Sequence, residues 1–215
     1  MKLAIVAALA TTASAASAPV APGEWTSTVA TAITAGGQSR SATSTIYNSD
    51  AVHGWRTETA GKPTIVTLFN AGQGGTGMEM EVDQSNKCQA WCPPSSTYFN
   101  PVKVGDGKNG TSVAKQTGPN TWAWTDNLLI IAMDHKELTF ASDGATPQVL
   151  TEQFTPFGKL IGNGTSTYTD YKASADPAKF EVTGMQNCQK SPNCQQGLES
   201  MRTTGPMTLL MKEFM

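Results

Sequence analysis

At 215 residues, with 39% hydrophobic and 15% charged residues, the chain has the composition of an ordinary globular protein and not of a disordered one. Its 15 Lys and Arg stand against 17 Asp and Glu, for a formal net charge of −2, and no basic cluster occurs; this argues against nucleic acid or an anionic membrane as partner. Charge this sparse leaves the polar surface to Thr, Ser, Asn, Gln and Gly, which suits an extracellular protein.

Met1-Lys2 followed by the apolar run Leu3–Ala10 and the small-residue sites Ala13-Ser14-Ala15 and Ala16-Ser17-Ala18 has the order of a secretory signal peptide. The run is shorter than the ~20 apolar residues a membrane span needs, and no later stretch reaches that length. Cleavage is expected after Ala15, because Pro19 is awkward just behind the second site. The expected organisation is a signal peptide over 1–15, an irregular lead-in over 16–23, one β domain over 24–194 and a short helical tail over 195–215.

Trp25, Val29 and Ile33 recur at every fourth residue, with Ser27 and Thr31 between them on the same side, and the density of threonine favours a strand. Ala35-Gly36-Gly37-Gln38 reads as a tight turn, and Ser41–Tyr47 returns from it as a hairpin. Short runs follow between turn residues: His53–Thr59, then Thr64–Phe69, then Met78–Asp83. The last alternates strictly, apolar on one face and acidic on the other, as a half-buried strand does. Thr121–Thr125 carries Trp122 and Trp124 on one face. Leu128–Met133 is apolar throughout and is expected to form one central strand covered on both sides. Leu138–Phe140, Gln148–Phe154 and Thr165–Tyr171 continue the series. Strands recurring every ten residues or so, with Gly, Pro, Asn and Asp between them, predict an antiparallel meander that curves into an open sheet, sandwich or barrel. Helices are expected only late, over Gln195–Thr203 and in the Met-, Leu- and Phe-rich tail after Pro206.

The cysteines form two clusters, Cys88 with Cys92 and Cys188 with Cys194. Their spacing departs from that of zinc sites, and in an oxidising compartment they are expected to form disulfides. Three pairings exist. The two that join the clusters would each close a loop of about 100 residues, for roughly 4–5 kcal/mol by chain entropy, whereas local pairs would constrain little. Ties between the clusters are therefore favoured, the partner of each cysteine staying open. Asn109-Gly110-Thr111 and Asn163-Gly164-Thr165 are glycosylation acceptor sequences, expected in turns beside their glycines.

Motifs of catalysis are missing: there is no G-x-S-x-G, H-E-x-x-H, P-loop or G-x-G-x-x-G. A non-enzymatic protein is expected; were it a hydrolase, Asp134 and His135 would be the first candidates, ahead of the carboxylates Glu79 and Glu81. No cofactor is expected. The loop acids Asp143, Asp170 and Asp176 offer at most one weak calcium site, without an EF-hand pattern. Trp25, Trp55, Phe69, Trp122 and Trp124 fall on strands expected to line the inside of the curved sheet. Trp55, Phe69, Trp122 and Trp124 are the candidate walls of an apolar pocket, and nine methionines would help such a surface adapt.

Phe154-Thr155-Pro156-Phe157-Gly158, Tyr168-Thr169-Asp170-Tyr171 and Pro177-Ala178-Lys179-Phe180-Glu181-Val182 leading to Cys188 are ordered as in ependymins, secreted proteins whose sheet is related to the bacterial periplasmic lipoprotein carriers. The chain resembles them over Gln148–Cys188, although its cysteine clusters do not follow their layout. The resemblance implies a strongly curved antiparallel sheet, a half-open barrel, with helices against the concave face and an apolar ligand between. It also implies glycosylation, disulfides and calcium association. The expected fold is thus mostly β, with one or two short helices near the C-terminus. The expected function is secreted binding of an apolar small molecule or lipid, set against a glycosylated structural or adhesive role and, third, a hydrolase.

Overall fold

The computed structural model describes residues 17–192 and 194, apart from 72–74, 76, 95–97, 109, 130, 131, 157 and 158. Within them the chain forms β1 (Glu24–Ala35), β2 (Gln38–Ser49), β3 (Gly54–Thr59), β4 (Thr64–Leu68), β5 (Met78–Val82), β6 (Cys88–Cys92), β7 (Lys115–Gly118), β8 (Thr121–Leu129), β9 (Ala132–Phe140), β10 (Pro147–Pro156) and β11 (Gly162–Lys172). All belong to one open antiparallel sheet in the order β6-β5-β4-β3-β2-β1-β11-β10-β9-β8-β7. Two meanders, β1–β6 and β7–β11, meet where β1 pairs with β11.

The hairpin at Gly36-Gly37 forms as the sequence predicts, since both glycines take the positive φ that a two-residue turn between twisted strands requires. Strict alternation then sorts the side chains. On β1, Trp25, Ser27, Val29, Thr31 and Ile33 are buried on what we call the inner face. Cross-strand register carries this face outward to Trp122 and Trp124 on β8, Leu138 on β9 and Leu150 on β10.

β6 and β7 follow one another in the chain yet form opposite edges of the sheet. The connection between Cys92 and Lys115 must therefore cross the molecule, and it does so over the inner face. Asn100, Val102 and Val104 are buried there, Val102 and Val104 joining Trp25, Ile46, Trp122, Trp124, Leu138 and Tyr168 in the main core. Trp25 Nε1 donates to Asn100 Oδ1 at 3.0 Å, and Trp55 Nε1 donates to the Phe99 carbonyl at 3.1 Å. The lead-in adds Ala18 and Ala21 to the same core, held by Asn100 Nδ2 donating to the Pro22 carbonyl. The inner face is thus covered by irregular chain, where the family resemblance implied helices.

Gly105 shows how closely the connection is seated. A Cβ there would fall onto the Ser112 carbonyl oxygen and 2.8 Å from Trp124 Cβ. Backbone and a ring root cannot give way as a flexible side chain can, so Gly105→Ala is expected to cost about 1–3 kcal/mol in urea denaturation. An unchanged midpoint would show that the connection does not rest on β8.

The C-terminal segment covers the other face of the first meander. After β11 it makes a 3-10 turn over Pro177–Phe180, where the Lys179 carbonyl accepts from the buried Arg56 guanidinium at 3.0 Å. Arg56 also pairs with Glu58 at 2.7 Å. A second 3-10 turn, Met185–Asn187, packs Met185 with Val182 against Val66, Met78, Met80 and Val82. Disulfides Cys88–Cys188 and Cys92–Cys194 close this cover, so both join the clusters.

Three expectations are corrected. The apolar run 128–133 is not one strand: β8 ends at Leu129 and β9 begins at Ala132, with Leu129 paired to Ala132 across a hairpin. The flanking alternation set the pairing, and the run contains no turn residue to announce it. Near the C-terminus, the helices among the described residues are only the two 3-10 turns; the predicted helical stretches 195–203 and 207–215 lie outside the described residues. Asn163 sits not in a turn but on exposed strand in β11, because its neighbours Gly162 and Gly164 are inner-face positions opposite Phe154 and Glu152. Asn109 and the predicted signal peptide lie outside the described residues.

Candidate functional site

The four predicted wall residues are all buried on the inner face, in two groups. Trp55 and Phe69 meet edge to face at 5.2 Å between ring centroids, and Phe99 closes on Trp55 at 4.4 Å. Tyr98 completes this nest 5.6 Å from Phe69, its hydroxyl donating to Asp50 and, at 3.2 Å, to Asn48 Oδ1. Burial and the Asp50 carboxylate push the Tyr98 phenol well above its usual pKa, so it stays a donor. Trp122 and Trp124 lie apart from this nest, under Val102 and Val104.

Between the groups the inner face turns polar. β8 continues from Trp122 and Trp124 to Asp126, β9 brings Asp134 and Lys136 into phase with Leu138, and β10 brings Glu152 into phase with Leu150. Register sets Asp126 opposite Asp134 and Lys136 opposite Glu152. The Lys136 ammonium lies 2.8 Å from Asp126 Oδ2, 3.3 Å from Asp134 Oδ2 and 3.6 Å from Glu152 Oε1. The Phe99 ring stands over it at 5.6 Å. Burial alone would lower the lysine pKa, but Glu152, Asp134 and Asp126 more than reverse this and hold it charged. Burial raises Asp134 to about 6, against the pull of Lys136 and with a further push from Asp126.

Two tyrosines close the site. Asp170 takes a left-handed conformation, φ 52°, and the pairing slips there so that two residues of β11 oppose one of β1, a β-bulge. The slip turns Tyr171 to the same side as Tyr168, and both rings pack on Trp25, at 5.9 and 6.1 Å. Neither hydroxyl has a hydrogen-bond partner among the described residues, nor has Asp134 Oδ1. Burial raises both phenols well above their ordinary pKa, with Glu152 adding to the effect on Tyr168.

Asp134 and His135 are neighbours on an extended strand and point to opposite faces. Asp134 is buried inside; His135 stands outside, its Nδ1 3.0 Å from Thr125 Oγ1, in an open groove of about 610 Å³ beside Glu137 and Gln153. They do not form a catalytic pair. Glu79 is half-buried and Glu81 exposed on β5. Asp143 accepts from Ala145 N, Thr146 N and Thr146 Oγ1, and Asp176 caps the first 3-10 turn through Ala178 N. Among the described residues no group of three or more His, Cys, Asp or Glu is arranged to hold a metal ion.

The chain is similar in structure to a DUF1329 family protein from Desulfovibrio piger, with 11% sequence identity and a TM-score of 0.37 over 74% of this chain and 90% of that one. No protein-family model and no curated protein matches the sequence, so the ependymin resemblance of 148–188 rests on those residues alone.

Proposed function

We propose that this chain is a secreted binding protein that holds an apolar small molecule or lipid against the inner face of its sheet. The observation that carries this reading is the pair of buried tyrosine hydroxyls, Tyr168 and Tyr171, without partners among the described residues at the end of a tryptophan-lined interior. Buried polar groups are nearly always hydrogen-bonded, and leaving one unmade costs about 1–3 kcal/mol. A ligand that is largely apolar but carries one acceptor at its end would satisfy them. An interior covered by irregular chain also suits ligand entry better than one sealed by a second regular layer. The two disulfides fit an oxidising, extracytoplasmic setting, and Asn163 is exposed where a glycan would be tolerated.

Native mass spectrometry of the purified protein tests this directly. A stoichiometric small molecule is expected, and after organic extraction the neutral probe N-phenyl-1-naphthylamine should fluoresce on rebinding. Tyr168→Phe is expected to weaken displacement of the probe by dodecanol about ten-fold, the worth of one hydrogen bond. An empty protein that also ignores the probe would overturn the reading.

A further inference from the structure

We propose that the groove on the outer face of β7–β10 is a separate binding site, one that takes a neutral saccharide through His135, Glu137 and Gln153. The C-terminal segment covers the outer face of the first meander, whereas the second keeps an open groove of about 610 Å³ there. The groove lies on the opposite side of the sheet from the apolar interior, so the inference stands independently of the binding function proposed above.

Register builds the groove. Thr125, His135 and Gln153 form one row across β8, β9 and β10, and Ala123, Glu137 and Thr151 form the next. Ala123 also pairs with Lys115 on β7, so the shortest side chain of its row stands between two of the longest, and the gap is the groove. Neighbouring groups within a row are about 4.8 Å apart and the two rows about 7 Å, a grid on the scale of a sugar ring.

The lining selects the ligand. Thr125 Oγ1 lies 3.0 Å from His135 Nδ1, which steadies the ring and leaves Nε2 for a ligand. Glu137 Oε2 accepts from Thr117 Oγ1 at 3.1 Å, which steadies the carboxylate and leaves Oε1 for a ligand. Gln153 is exposed and offers a donor and an acceptor on one amide. Carboxylate and amide can each engage two neighbouring hydroxyls, the arrangement that a sugar presents. Charge is balanced across the gap, with Lys115 on one side of Ala123 and Glu137 on the other, so an anion or a cation meets one group that repels it. Val113, 65% exposed, supplies apolar surface enough for the C–H face of a sugar but too little for an alkyl chain. The volume falls within the roughly 300–1,000 Å³ of small-molecule sites, with room for a short oligosaccharide.

An array of neutral, sulfated and sialylated oligosaccharides, probed with the whole protein at neutral pH, tests this, and titration calorimetry measures the strongest neutral hit. Neutral glycans are expected to bind, with their sulfated and sialylated counterparts no tighter. Glu137→Ala and Gln153→Ala should each weaken that binding about ten-fold. Ala123→Leu, which fills the gap, should abolish it. All three side chains lie on the outer face, and thermal melts check that the fold survives. An array without a neutral hit, binding confined to acidic glycans, or neutral binding unchanged in Ala123→Leu or in both alanine variants would overturn the assignment.

Discussion

Replacing Cys88 and Cys188 by serine lowers the stability of the fold by about 3 kcal/mol, replacing Cys92 and Cys194 does about the same, and replacing all four costs about 8 kcal/mol, more than the sum of the two. The bonds span 100 and 102 residues, so either one alone carries the large entropy of closing the long loop. Once one is in place, the other closes only a ring of about twelve residues built from the two short cluster segments, and its increment is correspondingly small. Removing a single bond therefore loses the small increment, and only removing both loses the long-loop term.

Hydrogen bonds give the covered edge a second role. Cys88 N donates to the Thr183 carbonyl, Trp91 N to that of Gln189, and Ser191 N to that of Trp91. The C-terminal segment thereby occupies the free edge of β6, and without the disulfides it would be held by these bonds, by Arg56 on the Lys179 carbonyl and by the Met185 contacts, with no covalent tie. Concentration-dependent association of the four-serine variant, through an uncovered β6, is the accompanying expectation. Urea midpoints measured without reductant decide the matter. Strictly additive losses would show that the bonds act on local packing rather than on the unfolded chain.

The meander was legible because its strands alternate. Trp25 to Ile33, Met78 to Val82 and Trp122 to Trp124 each keep one face apolar, and Gly36-Gly37 marks its turn chemically. β6 and β7 were not legible. Cys88-Gln-Ala-Trp-Cys92 is a strand because β5 and the strapped C-terminal segment pair with it, and Lys115-Gln-Thr-Gly118 because β8 does. Nothing local says that these consecutive strands take opposite edges, so the cover over Trp25 and Trp55 could not be foreseen. The charged cluster did leave a signal. Counting by twos from Trp124 reaches Asp126, from Leu138 reaches Lys136 and Asp134, and from Leu150 reaches Glu152. Read singly, these residues look like turn or surface charges; read in phase with their strands, they are inner-face residues. Asp134 stands out in the sequence only beside His135, yet adjacent positions on a strand point to opposite faces.

Lys136→Met should leave the protein unfolded or nearly so at pH 8 and partly rescued at pH 5. Removing one partner of a buried ionic group leaves uncompensated charge, at a cost of about 3–5 kcal/mol, and here three carboxylates lose their shared cation. Below pH 6 Asp134 can take up a proton instead, which is why acid restores part of what the lysine supplied. The unaltered protein shows the same tendency more weakly. Asp134 titrates at about 6 when folded against an ordinary 3.8, so between these values the folded state binds more protons than the unfolded one. Stability from this group is therefore full below about pH 4 and falls by about 3 kcal/mol as pH rises through 6. Asp134→Asn removes that slope and should make the protein more stable at pH 8, as read by thermal melts across pH 4 to 8. A melting temperature for Lys136→Met equal to that of the unaltered protein at pH 8 would mean that the cluster is open to water. A cluster whose lysine is needed only to offset its own acids adds little net stability, since well-packed apolar residues would serve a core as well or better.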